Sequence, residues 1–369
     1  MKFLLISDSE TLESACSVKV SVGSQDEPGG LNGLAHFLEH MLFEGSEKYP
    51  HSYFSDFVSK YNGVSNAFTM DDSTTYYFKL ANAGFADALD IFAHFFIDAS
   101  LDPDMVDKEI NAVNSEYEID LQKNSWRFME LLRKLSRKDS TFHRFSIGNL
   151  RTLKEIPSRN NLSISDELRK FYQSLYSPEK MQSTIISNLS LQEMEDLLTP
   201  IFSLVPQRQN INNTMKVAPS SPVAYWKEDL SKMVWYKTLN SKNELNIVFV
   251  LNFTAPENVF TRSIDYITEL LNAEGDNGLK AFMIKSGYVA NMAVGAQPCN
   301  GDFFMYMAQF DLTSDGMNNV MDVINMFYGF IGMVKTKGVD RKIYDEKSLI
   351  SYINFMYQVN NNSNYLFNH

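Results

Sequence analysis

Residues 33–45 read GLAHFLEHMLFEG. Leu34, Phe37, Leu38, Met41 and Leu42 recur at helical spacing, so the stretch predicts an amphipathic helix. His36 and His40 lie four residues apart on it. That spacing stacks two imidazoles one turn apart on one face, where both can reach a single metal ion. Glu39, three residues after His36, turns its carboxylate to the same side. A carboxylate beside a metal-activated water can take its proton near neutral pH and hand it to a leaving amine. The order H-x-x-E-H is the inverse of the commoner H-E-x-x-H.

Such a site needs a third protein ligand, and acidic residues come from a long charged helix predicted over 103–123, with Pro103 near its first turn. Glu109, Glu116, Glu118 and Asp120 are the candidates, and Glu109 and Glu116 share a face. Spacing alone does not choose among them.

Outward from this region the chain alternates strand and helix patterns. Phe3–Ile6 reads as a first strand, Ala15–Gly23 as a half-buried strand, and Thr74–Leu80 is rich in β-formers. Gly84–Phe96 carries Phe85, Ala88, Leu89, Phe92, Phe95 and Phe96 at helical spacing, and further helices are expected over Ser165–Leu175 and Leu191–Phe202. Residues 206–222, PQRQNINNTMKVAPSSP, are polar, contain proline and have no periodicity, which marks a linker. The expected domains are therefore 1–205 and 223–369. The second half echoes the first at an offset of about 227 residues. Leu245–Phe253 is a strand, Val259–Leu271 a helix, Tyr288–Ala296 parallels Tyr61–Phe68, Phe303–Phe310 parallels Tyr76–Leu80, and Met317–Phe330 parallels the Gly84–Phe96 helix. The expectation is an α+β fold of two homologous domains, each a mainly antiparallel sheet packed with helices.

Composition bounds the function. The 369 residues carry a net charge of −12, which argues against nucleic acid as a partner. No apolar run approaches the ~20 residues of a membrane span. Two distant cysteines, Cys16 and Cys299, exclude a disulfide scaffold and a cysteine zinc site. With few cysteines and no secretory signal at the first residues, a cytoplasmic location is expected.

GLNGLAHFLEHMLFEGSEKYP, GVSNAFT, TTYYF and EINAVNSEYE together resemble the N-terminal half of the insulysin-like, pitrilysin-type inverzincin metallopeptidases. The resemblance runs from KFLLISD to the segment 347–357. It implies one zinc ion per chain on His36, His40 and Glu116, with Glu39 as general base and Glu109 as the acid that orients the site. It implies peptide substrates of limited size, held by Asn66, Ala67 and Phe68 on a strand edge, with Phe43 and Trp126 lining the pocket beside the scissile bond. By the offset, Ser263, Tyr266 and Ile267 stand where His36, Glu39 and His40 would fall, and none can form a zinc site, so the second copy is expected to be catalytically silent. That copy is expected to anchor a substrate N-terminus at an exosite of Glu274, Ala293, Val294 and Gly295, although Asn272-Ala273-Glu274 replaces the family's Gly-His-Glu. A homologous C-terminal half or partner subunit would complete the chamber, so the chain is expected to be part of a longer or split enzyme. The alternative is a non-catalytic peptide-binding or partner subunit of a processing-peptidase-like complex.

Overall fold

The computed structural model describes residues 1–208, 224–240, 242–251, 262–299 and 303–357. Most of the expected linker, from 209 to 222, and the tail from 358 lie outside the described residues. Two compact units are present, with the division between Asp229 and Leu230. The first thus extends beyond the linker. Arg137 N–H donates to the Ala224 carbonyl at 2.8 Å, and the Tyr225 hydroxyl donates to that of Leu132 at 2.7 Å. Arg137 also stacks its guanidinium on Trp226 at 3.5 Å.

The first unit runs β1 (Lys2–Ser7), β2 (Glu13–Val20), α1 (Leu34–Phe43), α2 (Tyr53–Lys60), β3 (Val64–Thr69), β4 (Thr74–Ala81), α3 (Phe85–Ile97), α4 (Pro103–Asp120), α5 (Asn124–Leu135), α6 (Ile156–Arg159), α7 (Ile164–Leu175), β5 (Met181–Ser187) and α8 (Leu191–Phe202). Its sheet has the order β1-β5-β2-β4-β3, antiparallel except for the parallel pair β1–β5. The core forms where α3 buries Phe92, Phe95 and Phe96 against Phe54 of α2 and Tyr76 and Phe78 of β4, with ring centroids 5.0–6.4 Å apart. Each fully buried Phe contributes roughly 1.5–3 kcal/mol. The α4 helix starts sharply because Asp102 accepts the Asp104 N–H and Pro103 occupies its first turn. It stops at Asp120, short of the 123 expected. Asn124–Leu135 then forms a separate helix that sequence reading did not distinguish.

The second unit runs β6 (Asn243–Leu251), α9 (Ser263–Asn272), α10 (Leu279–Lys285), β7 (Val289–Cys299), β8 (Phe303–Leu312), α11 (Ser314–Asn318), α12 (Val320–Lys337) and α13 (Arg341–Met356). Its antiparallel sheet has the order β6-β8-β7, matching β2-β4-β3 of the first unit. Phe327 of α12 packs on Phe310 of β8 at 5.6 Å, as α3 packs on β4. The fold is α+β in both units.

Candidate metal centre

The α1 helix that carries the histidines is anchored at its N-terminus. Glu27 is buried, and its carboxylate oxygens accept the N–H groups of Gly33 and Ala35, each at 2.9 Å. This satisfies two donors that a helix start leaves unpaired. Burial pushes the Glu27 carboxyl up to about 8, against the pull of those N–H groups and Arg144. Gly33 adopts φ +89°, and a Cβ there would lie 2.1 Å from the Gly148 Cα. The close approach brings the 146–148 segment against α1, where the Ile147 carbonyl meets His36 Nδ1 at 2.7 Å.

On the exposed side of α1, His36 Nε2 and His40 Nε2 are 3.3 Å apart. Glu116 of α4 places Oε2 3.3 Å from the first and 3.6 Å from the second. A tetrahedral zinc with bonds of about 2.0–2.1 Å requires donor pairs about 3.3–3.4 Å apart. The triangle of two imidazole nitrogens and a carboxylate oxygen therefore fits that ion. The outer nitrogens fit it too: His36 Nδ1 faces the Ile147 carbonyl, and His40 Nδ1 lies 3.3 Å from Glu109 Oε2. With both Nδ1 atoms donating outward, both Nε2 lone pairs point inward. Of the four acidic candidates on α4, Glu116 joins the triangle and Glu109 stands behind it.

The charges follow this geometry. Burial opposes protonation of His40, but the hydrogen bonds and charges of Glu109, Glu116 and Glu39 outweigh it and raise His40 to about 9. The His36 and His40 rings hold Glu116 far below the usual carboxylate range, and His40 lowers Glu109. Glu39 is raised by burial, partly offset by His36, by the Thr69 hydroxyl that donates to its Oε2 at 2.6 Å, and by His40.

These side chains line an open cleft of about 430 Å³. Its wall includes Phe43, Asn66, Ala67, Phe68 and Trp126, so all five expected substrate residues gather around the triangle. Among the described residues, the β3 strand stands at the sheet edge. Phe43 also packs on Phe95 at 5.1 Å, whereas Trp126 is 40% exposed. Thr69, Ser146, Ile147 and Glu27 were not singled out in the sequence. The fold recruits two of them by backbone or hydroxyl contacts that have no periodic signature.

In the second unit, Ser263, Tyr266 and Ile267 lie on α9, and none offers the His-Glu-His donor pattern. Ala293, Val294 and Gly295 lie on β7, an edge strand among the described residues. At Val294 the edge is engaged by the Asn272 side chain, and Glu274 pairs with Lys280 Nζ at 3.0 Å.

Comparison with known proteins bears on both units. The family Insulinase (Peptidase family M16) matches residues 2–139, and Peptidase M16 inactive domain matches residues 163–348. Insulin-degrading enzyme-like 2 of Arabidopsis thaliana is 33% identical over 359 residues, 97% of this chain and 36% of that protein. Insulin-degrading enzyme of Drosophila melanogaster is 33% identical over 365 residues, with the same coverage. The chain thus spans about a third of the length of these curated relatives. The crystal structure of pitrilysin superposes with a TM-score of 0.85 at 24% identity, covering 98% of this chain and 38% of that one. Among the described residues, no helix is long and apolar enough to cross a membrane.

Proposed function

This chain belongs to the insulinase family of peptidases, family M16, and from that premise we propose that it is a zinc-dependent endopeptidase acting on peptides of limited size. The observation that carries the reading is the triangle of His36 Nε2, His40 Nε2 and Glu116 Oε2, with Glu39 beside it in one cleft. Those three residues would hold one zinc ion, which when bound polarises the scissile carbonyl and makes water more acidic. Glu39 takes a proton from the attacking water. The water oxygen joins the carbonyl carbon, the C–N bond breaks, and Glu39 returns the proton to the leaving nitrogen. Thr69 keeps the Glu39 carboxylate turned into the cleft, while Glu109 and the Ile147 carbonyl hold the two imidazoles. An extended substrate adds to the β3 edge at Asn66–Phe68, which selects for extended backbone more than for sequence. Phe43 and Trp126 receive its side chains.

The two units, with their matching sheet order, are read as copies of one ancestral domain, the second without chemistry. A homologous C-terminal half or partner subunit is proposed to complete the chamber, in keeping with the greater length of the relatives. A cytoplasmic site of action is proposed on the sparse cysteines. The test is Glu39→Gln. The variant is expected to retain one zinc per chain by elemental analysis and to lose at least about 10³-fold in cleavage of a quenched fluorescent peptide. The parent is assayed with and without the complementary half. A parent that takes up no zinc, or a variant that cleaves at the parent rate, overturns the reading.

A further inference from the structure

The second-unit edge strand β7 pairs with β8 on one side, and on its other side a side chain meets it at Val294. Asn272 is the last residue of α9, and its carboxamide meets the backbone of Val294 on β7 at two points. Val294 N–H donates to Asn272 Oδ1 at 2.8 Å, and Asn272 Nδ2 donates to the Val294 carbonyl at 2.7 Å. A residue of an added antiparallel strand would exchange the same two hydrogen bonds with Val294. A carboxamide carries a donor and an acceptor side by side in one plane, so Asn272 acts as a one-residue substitute for a strand. The chemistry is that of a protected sheet edge. The offset of about 227 residues places Gly45 of the first unit opposite Asn272. A glycine has no side chain to offer the β3 edge. Near β7, Glu274 is 82% exposed and already faces Lys280, which counters the charge a free amino terminus would seek.

We propose that Asn272 closes the β7 edge, so that the second unit anchors no peptide and substrate choice rests on the first-unit cleft alone. The expected anchor at Glu274, Ala293, Val294 and Gly295 is thereby replaced by an intrachain contact, and Asn272 becomes the residue that sets this specificity. The inference rests on hydrogen bonds within the second unit. The closure stands without the metal reading, while its consequence for substrate choice rests on that reading.

Hydrogen exchange tests it in the whole chain carrying Glu39→Gln, so that a ten-residue extended peptide with a free amino terminus survives incubation. With Asn272 present, saturating peptide is expected to leave exchange over 289–299 unchanged. Asn272→Ala should allow the peptide to slow exchange there by about tenfold. Asn272→Asp, which keeps the acceptor for Val294 N–H but turns a lone pair on its carbonyl, serves if the alanine variant does not fold, and is expected to open the edge in the same sense. Peptide protection of 289–299 with Asn272 intact overturns the proposal. So does a folded variant that gains none. Protection over 64–69 is read in the same experiment, and its absence counts against the first-unit cleft, not against closure by Asn272.

Discussion

Glu109 and Glu116 show how one residue type in one helix can serve two ends. Both sit on the same face of α4, yet Glu116 reaches Nε2 of both histidines while Glu109 reaches only the outward Nδ1 of His40. Spacing put both on one face but did not tell them apart; the family resemblance did, and the difference in position depends on where α4 lies against α1. We expect Glu116→Gln to abolish stoichiometric zinc uptake. Glu109→Gln should weaken zinc affinity by about 10–100-fold, because the amide no longer holds a full negative charge against the His40 ring. Competition with a chromophoric chelator measures both. Equal effects of the two substitutions would contradict the assignment. Thr69 and Ile147 carry the same lesson more sharply. A threonine in a β-rich stretch and a carbonyl between Ser146 and Gly148 have nothing in their identity that points to a metal centre.

At the scale of elements, the position of α1 is decided by its first turn. The helix itself follows from the apolar spacing of Leu34, Phe37, Leu38, Met41 and Leu42, all of them buried. Its placement comes from Glu27, which accepts the Gly33 and Ala35 N–H groups, and from contact between Gly33 and Gly148. Gly33→Ala is therefore expected to destabilise the first unit by about 1–3 kcal/mol from backbone strain alone, with the clash against Gly148 adding to it. Because the same contact positions Ile147 for His36, zinc affinity should fall in parallel. Urea unfolding and zinc titration on one sample check the coupling. A loss of stability with unchanged zinc affinity would separate the helix start from the site. The extra helix α5 belongs to this scale as well. Its polar run around Trp126 has no strong apolar periodicity, and the turn at 121–123 contains neither glycine nor proline to mark a new helix start.

For the molecule as a whole, the metal and the fold are expected to be separable. The core of the first unit is the aromatic cluster of α2, α3 and β4, while the histidine and glutamate donors lie on partly exposed surfaces of α1 and α4. Removing zinc with a chelator should thus leave the far-UV circular dichroism unchanged and lower the melting temperature by only a few degrees. Collapse of the spectrum on chelation would indicate a structural zinc module instead. The sequence by itself determined the α+β alternation, the helical pairing of His36 with His40 and the intervening Glu39, since each depends on periodicities of a few residues. It also showed a repeated order of elements, on which the proposed duplication rests. Spacing left open which carboxylate faces the histidines, and the tertiary structure puts Glu116 there; it alone decided which backbone group meets His36 and that Asn272 occupies the β7 edge. Those are contacts between segments distant in the chain, and their geometry is set by how helices and strands pack, a property that no local spacing encodes.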